Sequence, residues 1–107
     1  MKNYGYFRVA AAVPRVRVAD TRFNTEEICR LTSEAFDKKV SLVAFPELSL
    51  TGYTCGDLFH QEYLAECAEE GVRRIAEVCR GKAASVVIGA PVRYNGRLYD
   101  CAVVIWN

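Results

Sequence analysis

An apolar run, Val43-Ala44-Phe45, passes into Pro46 and is followed at once by Glu47, so that a strand would deliver a single carboxylate to its carboxyl end. That is the edge at which open α/β sheets place their chemistry. Phe45 precedes a proline and is held extended, and Pro46 has no N–H to give a ladder, so regular pairing is expected to stop here with Glu47 on the rim. Set between Pro46 and Leu48, with Phe45 and Leu50 nearby, the carboxyl is expected to be partly desolvated. Desolvation would lift its pKa toward the range useful for proton transfer. Two roles fit: a general base, or a side chain that caps a turn by accepting from neighbouring backbone amides. Thr51-Gly52-Tyr53 reads as a tight turn in which glycine lets the backbone fold back. It would bring the Tyr53 ring to the same rim, as a pocket wall or as packing.

The other residue types capable of chemistry are scattered. Cys29, Cys55, Cys67, Cys79 and Cys101 are odd in number and show neither CxxC spacing nor histidine partners, which argues against a disulfide framework or a zinc site. Four of them fall in helix or strand patterns, where a free cysteine behaves as a small hydrophobe. His60 stands among Phe59, Gln61 and Glu62 with no second ligand in view, so no metal is expected and a surface or interface position is. Arg8, Arg15, Arg17 and Arg22 form a local basic cluster that either meets an anion or is an ordinary solvated or intersubunit face; no phosphate-cradling glycine loop accompanies it.

The elements that must position Glu47 follow from hydrophobic periodicity. Phe7 to Val13 is almost continuously apolar, as expected of a central strand buried on both faces. Arg15 to Val18 alternates and reads as a half-exposed extension ending at Asp20. Asn24, with Glu27 three residues on, has the form of a helix cap. The helix is expected to run to about Asp37 with Ile28, Leu31, Thr32, Ala35 and Phe36 inward and Glu26 paired with Arg30 outside. Val40 to Phe45 is the next strand, and strand, helix, strand at this length implies a right-handed crossover and parallel pairing. A second helix, about Gln61 to Cys79, repeats Leu64, Ala68, Val72, Ile75 and Cys79 at helical spacing, with Glu69–Arg73 and Glu70–Arg74 pairs on its wet face. Ser85 to Tyr94 is a third strand, Asn95-Gly96 a hairpin turn, and Arg97 to Trp106 the returning arm. The sheet is thus expected to be mixed, parallel early and antiparallel late.

At 107 residues the chain fits one domain burying somewhat under roughly 70% of its unfolded surface. Composition, 51% hydrophobic and 25% charged, is that of an ordinary globular protein. Fourteen basic against thirteen acidic side chains give no general electrostatic case for nucleic acid or an anionic membrane. No apolar run approaches the ~20 residues of a spanning helix. The amino end lacks the charged then apolar plan of a signal peptide, so the cytoplasm is the expected location. Val103 to Trp106 reads as a buried strand on which the chain stops, which is expected of a piece of a larger protein.

Phe45-Pro46-Glu47-Leu48 followed by Thr51-Gly52-Tyr53 resembles the carbon-nitrogen hydrolase (nitrilase) superfamily. The run from Ser49 through Cys55 to Phe59, with the opening Arg8-Val9-Ala10-Ala11-Ala12-Val13-Pro14, is similar to its glutaminase domains. The likeness spans essentially the whole chain, including Gly89-Ala90-Pro91 and Leu98-Tyr99-Asp100-Cys101-Ala102. The resemblance implies an α/β fold, the first part of an αββα sandwich, with a mixed sheet and two helices on one face. Residues 1–107 would be the amino-terminal portion of a glutaminase domain, the rest of it and an ATP-dependent synthetase domain being absent. It also implies that Glu47 is the general base of a glutamate, lysine and cysteine triad and that glutamine is the substrate of the complete domain; Tyr53, by its place in the turn, is the candidate substrate-binding residue, and the apolar Val103 to Trp106 edge makes a homo-oligomer the expectation. The family's lysine and nucleophilic cysteine belong to motifs that follow the hairpin's second arm, and none of the five cysteines here, Cys55 included, matches the nucleophile motif. The fragment alone is therefore expected to be inactive and to hold no cofactor, ATP and Mg belonging to the synthetase domain. Another amidase of the superfamily and a non-catalytic α/β interaction module are the alternatives.

Overall fold

The structure, a computed structural model, describes residues 5–52, 54–56, 58 and 62–106. Its elements are β1 (Val9–Ala11), α1 (Thr21–Asp37), β2 (Leu42–Ala44), α2 (Glu62–Cys79), β3 (Ser85–Tyr94) and β4 (Arg97–Trp106). The strands form one sheet in the order β1-β2-β3-β4. The first two pairings are parallel and the third antiparallel, so the sheet is mixed as expected. At the hairpin Asn95 and Gly96 have φ of 51° and 75°, the two left-handed residues of a tight turn whose twist matches the flanking strands.

Alternation along the strands divides the sheet into an inner and an outer face. Val43, Val86, Ile88 and Ala90 point inward and are buried with Ile28 and Ala35 of α1 and Ala68, Ile75 and Cys79 of α2. Both helices therefore cover one face. Where they meet, Gly71 of α2 is what allows the approach, because a Cβ there would lie 2.5 Å from Thr25 Oγ1 and 3.2 Å from Leu50 Cδ1.

Several local expectations are corrected. β1 is an edge strand of this sheet with its outer side uncovered: Val9 is 57% exposed, and Val13, just beyond the strand, 83%. An apolar run gives side-chain type but not coverage, and both helices lie on the other face of the sheet. The same holds for β4, where Val104 is 52% and Trp106 70% exposed. α1 begins at Thr21, a turn earlier than expected, because Asp20 is the cap and accepts from Phe23 N–H at 3.0 Å. Asn24 lies inside the helix with its amide turned inward. Arg30 pairs with Glu27 at 2.8 Å and Glu34 at 3.6 Å, while Glu26 reaches across to Arg74 of α2 at 3.4 Å. The expected Glu69–Arg73 pair forms at 2.8 Å. The arginine cluster is split: Arg8 donates to the Lys38 carbonyl at the end of α1, and the Arg17 guanidinium lies over the Phe23 ring at 4.0 Å.

Candidate active site

Regular pairing runs through Phe45, whose N–H donates to Val87 at 2.9 Å, and stops at Pro46. The chain then turns over the outer face of the sheet. Ser49 N–H returns to Pro46 O at 3.2 Å, and Gly52 N–H to Leu48 O at 2.7 Å, with Leu48 in the left-handed region at φ 50°. A leucine held there costs energy and must be over-determined by its surroundings.

Three sets of contacts do so. On the sheet side the turn rests directly on Gly89: a Cβ at that position would sit 2.6 Å from Pro46 O and 2.7 Å from Glu47 C, and closer still to Leu48 N. Leu50 N–H donates to Gly89 O at 3.1 Å, and Gly89 N–H to Ser49 Oγ at 3.3 Å. On the helix side, Asn24 is fully buried and its amide donates to Leu50 O at 2.9 Å and to Arg17 O at 2.8 Å, while its Oδ1 accepts from Arg17 N–H at 2.8 Å. Beneath the turn, Gly52 has φ 80° and packs against Val16 and Val18, and Ala19 N–H donates to Thr51 O.

This frame presents Glu47 at the turn's tip, where it is exposed. Its carboxyl is held above the ordinary carboxylate range, first by a hydrogen bond with the Asp100 carboxyl, then by the charge of Asp100, and least by desolvation. The expected upward direction is present, but its leading cause is a second carboxylate. Proline and leucine neighbours in sequence do not bury a side chain that points away from them.

Cys55 is buried against the same turn, and its thiol donates to Thr51 O and Gly52 O, both at 3.2 Å. Its one S–H, shared between two carbonyls, ties Cys55 to the turn. Tyr53, Asp57 and His60 fall outside the described residues. Among the described residues no group of three or more His, Cys, Asp or Glu could hold a metal ion, and no helix is long and apolar enough to cross a membrane. A concavity of about 740 Å³ lies between the helices, lined by Arg22, Thr25, Glu70 and Arg74 among others, and none of its lining residues belongs to the Glu47 turn.

Two residues of the site had not been singled out for a role there. Gly89 carries a readable signal, since a lone glycine in a strand pattern marks close backbone approach. Asp100 could have been found by counting the hairpin register from Asn95-Gly96, which sets it opposite Pro91.

A carbon-nitrogen hydrolase profile matches residues 8–107. The chain belongs to the carbon-nitrogen hydrolase family. Within it, the chain matches the amino-terminal part of glutamine-dependent NAD synthetases. It is 37% identical over 103 residues to the glutamine-dependent NAD(+) synthetase of Mycobacterium leprae, a match covering 96% of this chain and 15% of that protein. The crystal structure of a glutamine-dependent NAD(+) synthetase from Cytophaga hutchinsonii superposes with a TM-score of 0.88 at 33% identity, covering 94% of this chain and 17% of the other. An amidase from Nesterenkonia sp. AN1 shares the fold, with a TM-score of 0.78 at 20% identity over 92% of this chain and 37% of that one. The chain thus spans about 15% of the length of the curated relatives it matches first.

Proposed function

We propose that these residues form the opening part of the glutaminase domain of a glutamine-dependent NAD synthetase, and that Glu47 is its general base. The observation that supports this reading best is a carboxylate seated by Gly89, Ser49 and Asn24 at the end of a parallel strand, in a chain whose 30–37% identical relatives carry that name. The thiol nucleophile and the oxyanion-stabilising lysine would come from outside these 107 residues, so the isolated fragment would not turn over.

In the complete domain Glu47 would take the thiol proton as sulfur bonds to the glutamine side-chain carbonyl carbon. It would return a proton to nitrogen as the C–N bond breaks and ammonia leaves. A water giving its proton to Glu47 would then attack the thioester and release glutamate and the thiol. The lysine would stabilise the oxyanion of both tetrahedral intermediates. The ammonia would pass to an ATP- and Mg-dependent amidation of nicotinic acid adenine dinucleotide elsewhere in the protein, a ligase reaction to which these residues contribute no nucleotide site. The cytoplasm and a homo-oligomeric state belong to the same proposal.

The test is Glu47→Gln in the full-length protein, assayed for NAD formation with glutamine and, separately, with free ammonia. Glutamine-driven synthesis should fall by about 10²–10⁴-fold, while ammonia-driven synthesis is retained. Wild-type glutamine-driven turnover would remove Glu47 from the base role, and ammonia release from glutamine with no ATP-dependent product would favour a simple amidase.

A further inference from the structure

Asn24 stands where neither helix formation nor burial favours it. It lies inside α1, past the Asp20 cap, and is fully buried. Asparagine is a weak helix former, and an amide taken out of water is costly unless its polar atoms find partners. The partners it finds are all backbone groups outside the helix. Its Nδ2 donates to Leu50 O at 2.9 Å and to Arg17 O at 2.8 Å, and its Oδ1 accepts from Arg17 N–H at 2.8 Å. One side chain therefore fastens α1 to the segment before it and to the Glu47 turn.

Leu50 is the residue through which this reaches the reactive edge. Its carbonyl is held by Asn24 on the helix side, and its N–H donates to Gly89 O at 3.1 Å on the sheet side. Its side chain is fully buried. Glu47 lies only a few positions earlier, and the turn between them is closed on itself by Ser49 N–H to Pro46 O and Thr51 N–H to Leu48 O. A displacement of Leu50 is passed along that turn to Glu47. The segment in front of α1 moves with it, because Ala19 N–H donates to Thr51 O at 2.8 Å and Val16 and Val18 lie against Gly52.

We propose that Asn24 is a positioning residue for Glu47, which sets the carboxyl at the reactive edge by fixing the Leu50 carbonyl from the helix side. This inference rests on the reading of Glu47 as the general base. The chemistry argues for asparagine in particular. Two carbonyls and one N–H must be met within the span of one short side chain, and a carboxamide offers two donors and an acceptor. An aspartate would keep the bond from Arg17 N–H but turn an acceptor toward both carbonyls. A serine has one hydrogen to give where two carbonyls need one. Proton transfer requires the base within hydrogen-bond reach of its proton, and a misplacement of about 1 Å costs about 10²-fold in rate. That loss falls on kcat, since a fully buried Asn24 makes no contact with substrate.

The experiment is a double-mutant cycle in the full-length protein, with Asn24→Ala, Glu47→Gln and the two combined. Ile28→Ala is the control, removing buried bulk one turn further along α1 and none of these hydrogen bonds. NAD formation is read with glutamine, as kcat and KM, and with free ammonia in the same preparations. Asn24→Ala should lower glutamine-driven kcat by about 10²-fold, with KM for glutamine near the wild-type value and ammonia-driven synthesis retained. It should add nothing to the loss in Glu47→Gln, because its effect passes through Glu47. Ile28→Ala should keep the wild-type ratio of glutamine-driven to ammonia-driven rate. Losses that multiply in the combined variant overturn the proposal, as does an Asn24→Ala enzyme with wild-type kcat. An Ile28→Ala enzyme that loses the ratio equally overturns it too, by reducing Asn24 to general stability. If Asn24→Ala gives no soluble protein, Asn24→Ser carries the same cycle with the same directions expected. Failure of the base reading looks different: Glu47→Gln alone then keeps glutamine-driven turnover, whereas multiplied losses beside an impaired Glu47→Gln overturn the role of Asn24 alone.

Discussion

Glu47 and Cys29 carry pKa values shifted in the same direction for opposite reasons. For Glu47 the cause is a neighbouring carboxyl at the surface. For Cys29 burial leads, pushing the thiol up to about 11, with Arg74 opposing and Glu26 and Cys79 adding to it; burial raises Cys79 as well. A thiol that stays protonated in the folded state while the unfolded chain ionises near 9 contributes stability that is fully present below pH 9. That contribution is lost as pH rises from 9 through about 11. Urea midpoints measured at intervals from pH 7 to ~11 in the protein and in Cys29→Ala should show an alkaline decline that is shallower in the variant. Superimposable declines would assign the loss to other groups. Cys29 in its helix pattern was legible as a core residue from sequence. The cause acting on Glu47 was not, because the partner lies on a strand far along the chain and is found only through the register.

Helix and strand identities were readable because their side chains repeat at 3.6 or 2 residues, and the Asn95-Gly96 turn because two left-handed residues demand that dipeptide. The start of α1 was misread for a physical reason. Asp20 and Asn24 are both good caps, and the choice between them was made by tertiary demand: Asn24 is needed inside, where Arg17 and Leu50 leave three backbone groups to satisfy. Strand order and coverage were also beyond the pattern, as β1 shows. The element most open to test is β3 at Gly89. Its φ is not left-handed, so an alanine there is excluded by contact alone, with the backbone of Pro46, Glu47 and Leu48 rather than a movable side chain. Gly89→Ala should cost about 1–3 kcal/mol in stability. It should also reduce glutamine-driven synthesis more than ammonia-driven synthesis in the full-length protein, because the turn must lift off the sheet. A variant with wild-type stability and glutamine use would show that the turn has room to move.

At the scale of the molecule both helices cover one face of the sheet, and the Glu47 turn covers only the part of the other face at Gly89. Val9 on edge strand β1 and Val104 and Trp106 on edge strand β4 stand open to water, and exposed apolar side chains of this size favour association when they gather into a patch. The 107-residue chain produced alone should therefore self-associate as its concentration rises, and Val104→Lys with Trp106→Lys should suppress this in sedimentation velocity. Equal association in the charged variant would locate the sticky surface elsewhere. A different consequence comes from the seating of the Glu47 turn on Gly89, a contact between residues 40 positions apart. On the ribosome the turn is translated well before the strand that supports it. Leu48 cannot be held left-handed, nor Leu50 bonded to its strand, until Gly89 has emerged and paired. For that interval the nascent chain carries the Glu47 turn unseated, and the geometry of the reactive edge is set only once β3 has arrived.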